Sequence, residues 1–109
     1  MNRQAHVFQN DSLAGLLEQL PSGGYRFTYT PAYLASPAAK AISLTLPLRR
    51  EPFESPYLFP FFVGLLAEGN LKEMQCRLYQ IDPDDDFTRL LRTTRTDVIG
   101  AVTVEEVEA

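Results

Sequence analysis

Cysteine and histidine are nearly missing from this sequence: Cys76 is its one thiol and His6 its one imidazole. A single cysteine cannot close an intramolecular disulfide, which fits a reducing compartment. One histidine and one cysteine cannot assemble a zinc set at the usual ligand spacings. No apolar run is long enough for a bilayer span, so a transmembrane helix is excluded. Residues 1–20 lack a basic segment followed by an apolar one, so no secretory signal is visible. Cationic charge is scarce as well. Ten Lys and Arg stand against 14 Asp and Glu, a net of −4 with pI ≈ 4.9. A protein that grips a phosphate backbone needs a cationic surface, so a nucleic-acid module is disfavoured.

What is present is ordinary globular material. Hydrophobic residues make up 45% and charged ones 22% of 109 residues, which predicts one domain over 1–109 with a modest core. The expected setting is the cytoplasm. Charge is unevenly placed: residues 1–50 hold five basic and two acidic side chains, residues 51–109 five basic and twelve acidic. Such polarity can orient the domain on a partner without naming one.

The chain opens with β-prone His6-Val7-Phe8, turn residues Gln9 to Ser12, and apolar Leu13 to Leu17, which predicts a hairpin. Tyr25-Arg26-Phe27-Thr28-Tyr29 alternates strictly, placing three rings on one face of a strand. Ala32–Ala35, between prolines, predicts a short helical turn. Ile42–Leu46 alternates again and predicts a second half-buried strand ended by Pro47. Seven of the eight prolines lie between Pro21 and Pro60, so rigid connections are expected there rather than long helices.

After Pro60 the period changes. Pro60 suits the first helical position, and Phe61 to Leu66 is apolar on nearly every side, which predicts a buried helix over 60–67. Gly69 is placed to end it. Asn70 and Glu73 have capping-box spacing, and Leu71, Met74 and Leu78 form an i, i+3, i+7 stripe on the next helix. Another helix is expected from about Asp85, with Phe87, Leu90 and Leu91 inward and its arginines toward the end. Val98 to Val104 is β-prone again. Strands first, helices next and a last strand define an α+β fold, a small antiparallel sheet or partial barrel with about three short helices.

Motifs for catalysis do not materialise. Asp82, Asp84 and Asp86 open like a calcium loop, but Phe87 holds the glycine position and Thr93 the glutamate position. These acids are better assigned to turns and a helix start. There is no nucleophile elbow and no phosphate-cradling glycine loop. Asp97 lacks the asparagine a kinase catalytic loop places five residues on, since Val102 stands there. No catalytic, cofactor-binding or metal-binding residue is assigned, and no cofactor is expected.

Four stretches carry a resemblance. Tyr25 to Ala35 resembles the F-x-Y-x-P-x-W-L-A block of HipA-type serine/threonine kinases, and Ile42 to Leu48 their L-S-L-S-L-P-L segment. Phe61 to Gly69 is similar to F-F-x-N-L-L-P-E-G, and Arg95 to Val102 to G-R-D-x-x-G-A-V/L. Order and spacing agree from about Val7 to Val104, nearly the whole chain. Departures are Tyr33 for tryptophan, Ala67 for proline, and Thr96 interrupting Gly-Arg-Asp. The resemblance covers only the N-terminal subdomain of that family; the kinase body would begin where this chain stops. It implies a HipS-like antitoxin of the three-component HipBST arrangement. Such a protein supplies the subdomain missing from a HipT-like kinase toxin, beside a HipB-like helix-turn-helix partner that binds DNA. The alternative is a non-catalytic structural fragment of a one-chain HipA-type kinase.

The turn Ala67-Glu68-Gly69-Asn70 joins two helices and is the expected partner interface. Gly69 lets the backbone turn sharply, leaving Glu68 and Asn70 to project outward. On the other view of the same turn, Asn70 only caps the following helix and Glu68 is solvated.

Overall fold

A computed structural model of the chain describes residues 3–10, 12–66, 68–93 and 102–107. Five strands make one antiparallel sheet: β1 (Arg3–Gln9), β2 (Ser12–Gln19), β3 (Tyr25–Tyr29), β4 (Phe53–Ser55) and β5 (Val102–Glu106), in the order β4-β3-β2-β1-β5. Four helices join them: α1 (Pro31–Ala35), α2 (Pro60–Val63), α3 (Gly69–Tyr79) and α4 (Asp86–Thr93). The first four strands form a meander, and the chain then crosses through α2, α3 and α4 to add β5 beside β1. The sheet is open, with β4 and β5 as its edges.

Register sorts the side chains. Phe53, Phe27, Leu17 and Ala5 lie in one cross-strand row, and Tyr29, Gly15, Val7 and Val104 in the next. Both rows face inward, because successive strand residues alternate between faces. Gln4, Glu18, Arg26 and Glu54 form a row on the other face, where Gln4 donates to Glu18 at 3.3 Å and Arg26 pairs with Glu54 at 3.1 Å. Between Val7 and Phe8 the pairing jumps from Gly15 to Leu13, so Ala14 is an extra, bulged residue. Gly15 is required here. A Cβ on it would sit 2.6 Å from the Thr28 carbonyl oxygen and 2.7 Å from the Phe27 ring.

The core fills the space between that inner face and the helices. Phe27, the most central ring, meets Tyr29 edge-on at 4.9 Å and Phe62 of α2 at 5.8 Å. From α4, Phe87, Leu90 and Leu91 point inward and are buried, and Tyr25 packs on Phe87 at 5.8 Å. The helix α4 is held by its acid cap: the Asp85 carboxylate accepts from the Thr88 backbone N–H at 3.1 Å and from its hydroxyl at 2.7 Å. Arg3 of β1 donates to the same Thr88 hydroxyl at 2.8 Å and places its guanidinium over Phe87, which ties the sheet to α4.

Several expectations hold: the hairpin, the strand over 25–29, the helical turn after Pro31, and Pro60 opening a helix. Others need correction. Ile42–Leu46 is a tight turn, not a strand, with one bridge between Ser43 and Leu46. The edge of β3 that such a strand would join is taken by β4, which the flanking Pro52 and Pro56 had hidden. The α2 helix spans four residues rather than reaching 67; Phe62 and Leu66 are buried but Leu65 only partly. The small antiparallel sheet with a few short helices is as expected, four of them among the described residues. The block 95–101 lies outside the described residues, and β5 is described from Val102 on.

Candidate partner-binding surface

The anticipated interface turn lies between α2 and α3. Ala67 falls outside the described residues; Glu68, Gly69 and Asn70 are exposed. Glu68 is extended (φ −125°, ψ 165°) and occupies the position before α3, where its side chain makes no capping bond. Gly69 has φ +62°, the left-handed region that favours glycine, and a Cβ there would meet nothing within 4 Å. Conformation, not crowding, selects glycine at this site. Gly69 therefore opens α3 instead of closing α2, and Asn70 stands inside the first turn rather than at the cap. The capping-box role expected of Asn70 and Glu73 is not what forms.

The helix that follows is turned outward. Leu71, Met74 and Leu78 retain 50%, 60% and 69% of their full exposure, and Tyr79 is also exposed. Only Cys76 is buried, with Lys72 and Gln75 half-buried beside it. At 100° per residue, the stripe is rotated roughly 120° from that buried side. The helix is fixed by its C-terminal end: Gln80 is left-handed (φ 56°), and the next residue, buried Ile81, donates its N–H to the Cys76 carbonyl at 2.8 Å. Asn70, Glu73, Met74, Arg77 and Leu78 line a shallow groove along its outer side. The stripe was visible in the periodicity. Its outward direction was not.

Other features resolve into structure. His6, on β1, is half-buried and meets Phe8 edge-on at 6.2 Å. Asp82 accepts from the Asp84 N–H at 2.9 Å, Asp85 caps α4, and Asp86 pairs with Arg89 at 3.1 Å. The acids are thus turn and helix-start residues, as expected from their loop mismatches. Among the described residues, no three His, Cys, Asp or Glu side chains converge as a metal site. No helix among them is long and apolar enough to cross a membrane.

The described residues thus make a small open sheet with its core on one face and an exposed apolar row on α3. The HipA N-terminal domain family matches residues 5–105, and the chain belongs to that family. Its structure is similar to the N-terminal domain of HipA toxin, with TM-score 0.73 and 32% identity, covering 97% of this chain and 93% of that one. In sequence it is similar to an uncharacterized protein of Haemophilus influenzae, 36% identical over 104 residues, 95% of this chain and 92% of the relative. It is also similar to the putative kinase Y4mE of Sinorhizobium fredii, 32% identical over 100 residues. That match takes 92% of this chain but only 24% of the putative kinase. The HipA N-terminal domain is the non-kinase subdomain, and the chain fits the small, HipS-like form of it.

Proposed function

We propose that this chain is a non-catalytic antitoxin that acts in the cytoplasm. It binds a separate HipA-like serine/threonine kinase of the HipT type, replaces that kinase's missing N-terminal subdomain, and holds it inactive. A HipB-like helix-turn-helix protein completes the complex, so this chain itself contacts no DNA. The observation that carries this reading is the pair of coverages: the same domain is 24% of a putative kinase and 92% of a small protein. A contact made within one chain in the first case is remade between chains in the second. An interface of standard size takes roughly 800 Å² per partner. The total surface here is 7063 Å², so about a tenth of it suffices.

The turn Ala67–Asn70 is the segment assigned to reach the kinase's active-site side, with Glu68 facing cationic phosphate-binding groups. Support comes from the exposure of Glu68, Gly69 and Asn70 and from Asn70 standing inside the first turn of α3 rather than at its cap. The test is co-expression with a HipA-type kinase that lacks this domain, read as growth. Wild type should restore growth and should itself neither bind nor hydrolyse ATP by calorimetry. The Glu68→Lys, Asn70→Asp double variant should fold normally yet fail to protect. A wild-type chain that leaves the kinase toxic refutes the antitoxin reading, and a protective double variant refutes the role of the turn. The Y4mE match favours one other reading, a structural segment of a one-chain kinase. It predicts that every kinase co-purifying with this chain already carries its own N-terminal domain.

A further inference from the structure

The outward stripe of α3 needs an occupant. Soluble domains seldom leave a contiguous row of large apolar side chains in water unless a partner covers it. Here the sheet's inner face is already filled by Phe62, Phe87, Leu90 and Leu91, so the described residues leave no interior for Leu71, Met74 and Leu78. The side of α3 that does pack inward carries Lys72, Gln75 and Cys76. A helix kept with its polar side in and its leucines out is built for something outside the domain.

We infer that this stripe is the docking face for the kinase body, received as an apolar groove on a separate chain. The inference rests on the antitoxin reading and adds the surface that carries it. The occupant follows from length: the matched segment is 24% of the putative kinase, so about three-quarters of that chain lies beyond it and is available to cover α3. Anchors at i, i+3 and i+7 are the spacing by which one helix lies in a groove. Methionine at the centre suits a surface that must adapt to its partner. Glu73 and Arg77, four residues apart, lie with opposite signs along one edge of the row, which favours a groove with charges of both signs on its rim rather than a lipid or polyanion surface. Leu71 follows directly on the exposed Glu68–Asn70 turn, so turn and stripe make one continuous surface.

The test replaces Leu71, Met74 and Leu78 together by glutamine, which keeps helix propensity while removing the apolar face. The probe is a HipA-type kinase lacking its N-terminal domain, titrated into the full chain by calorimetry. The expected result is an unchanged melting curve and binding weakened about 100-fold or more. Equal affinity of variant and wild type overturns the stripe and leaves the antitoxin reading standing. A wild type that does not bind overturns both. Should the triple variant fail to fold, hydroxyl-radical footprinting of wild type decides: Met74 must be oxidised in the free chain and protected in the complex. Undiminished oxidation overturns the inference. So does sedimentation showing that wild type dimerises at micromolar concentration and the triple variant does not, since the occupant is then a second copy.

Discussion

Tyr29→Phe removes one oxygen from the interior and leaves the ring in place. That oxygen joins β3 to the 42–46 turn at two points: it donates to the Leu46 carbonyl and accepts from the Ile42 N–H at 3.1 Å. Phenylalanine fills the same volume, so no cavity contributes. What is lost is the partner of a buried carbonyl and of a buried N–H, and each group left unsatisfied costs about 1–3 kcal/mol. The turn lies at the surface, where Leu44 is fully exposed, so one of the two groups can relax toward water. The expected loss is therefore about 2–3 kcal/mol, from a total of about 5–15 kcal/mol for a domain of this size.

The same hydroxyl sets a pH signature. Burial pushes the Tyr29 pKa above its usual value of 10.0, opposed in part by the Ile42 N–H and reinforced by neighbouring Tyr33. A group whose pKa is higher folded than unfolded contributes stability that is complete below pH 10 and is lost as pH rises through the folded value. Urea denaturation followed by circular dichroism, at neutral pH and in steps above pH 10, reads both effects. Wild type should lose stability more steeply than Tyr29→Phe in the alkaline range. A neutral-pH difference under about 0.5 kcal/mol, the scatter of surface substitutions, refutes the claim that this hydroxyl anchors the turn. Equal alkaline slopes refute the role of its burial.

Three further predictions concern helix starts. Asp85→Ala should cost about 0.5–2 kcal/mol by removing the cap of α4, with Asp85→Ser recovering part of it in the same denaturation assay. At the start of α3, Gly69→Ala should cost about 1 kcal/mol for the left-handed backbone alone. Asn70→Ala should cost well under the roughly 0.5–2 kcal/mol of a lost cap, and a loss in that range would restore Asn70 to the capping role.

The strands were legible where alternation and pairing agree. Tyr25–Tyr29 alternates, β2 and β4 pair with it on either side, and its inward rings pack on Phe53 of β4 and Phe87 of α4. Ile42–Leu46 alternates equally well and is not a strand, because β4 already occupies the edge it would join. Its two ends turn inward for a different reason, the shared bonds of Ile42 and Leu46 to the Tyr29 hydroxyl. Alternation reports which side chains are wanted inside; it does not report what holds them there. In β4 the converse applies. Three residues between prolines carry no periodic signal, and an edge strand is the one place in a sheet where such flanks are tolerated.

The geometry of the candidate surface was half legible for a related reason. Glycine with an acidic neighbour marked the turn before α3, and the i, i+3, i+7 row marked its apolar face. Periodicity gives a face but is silent on what the face meets, and the default assignment of such a face is the core. Whether the core has room is a question of layers. One open sheet has one inner face, and short α2 with the strongly one-sided α4 is enough to cover it. The apolar row of α3 exceeds the interior that the described residues leave to it. That excess, more than any single residue, is the feature of the sequence on which the proposed docking face of α3 rests.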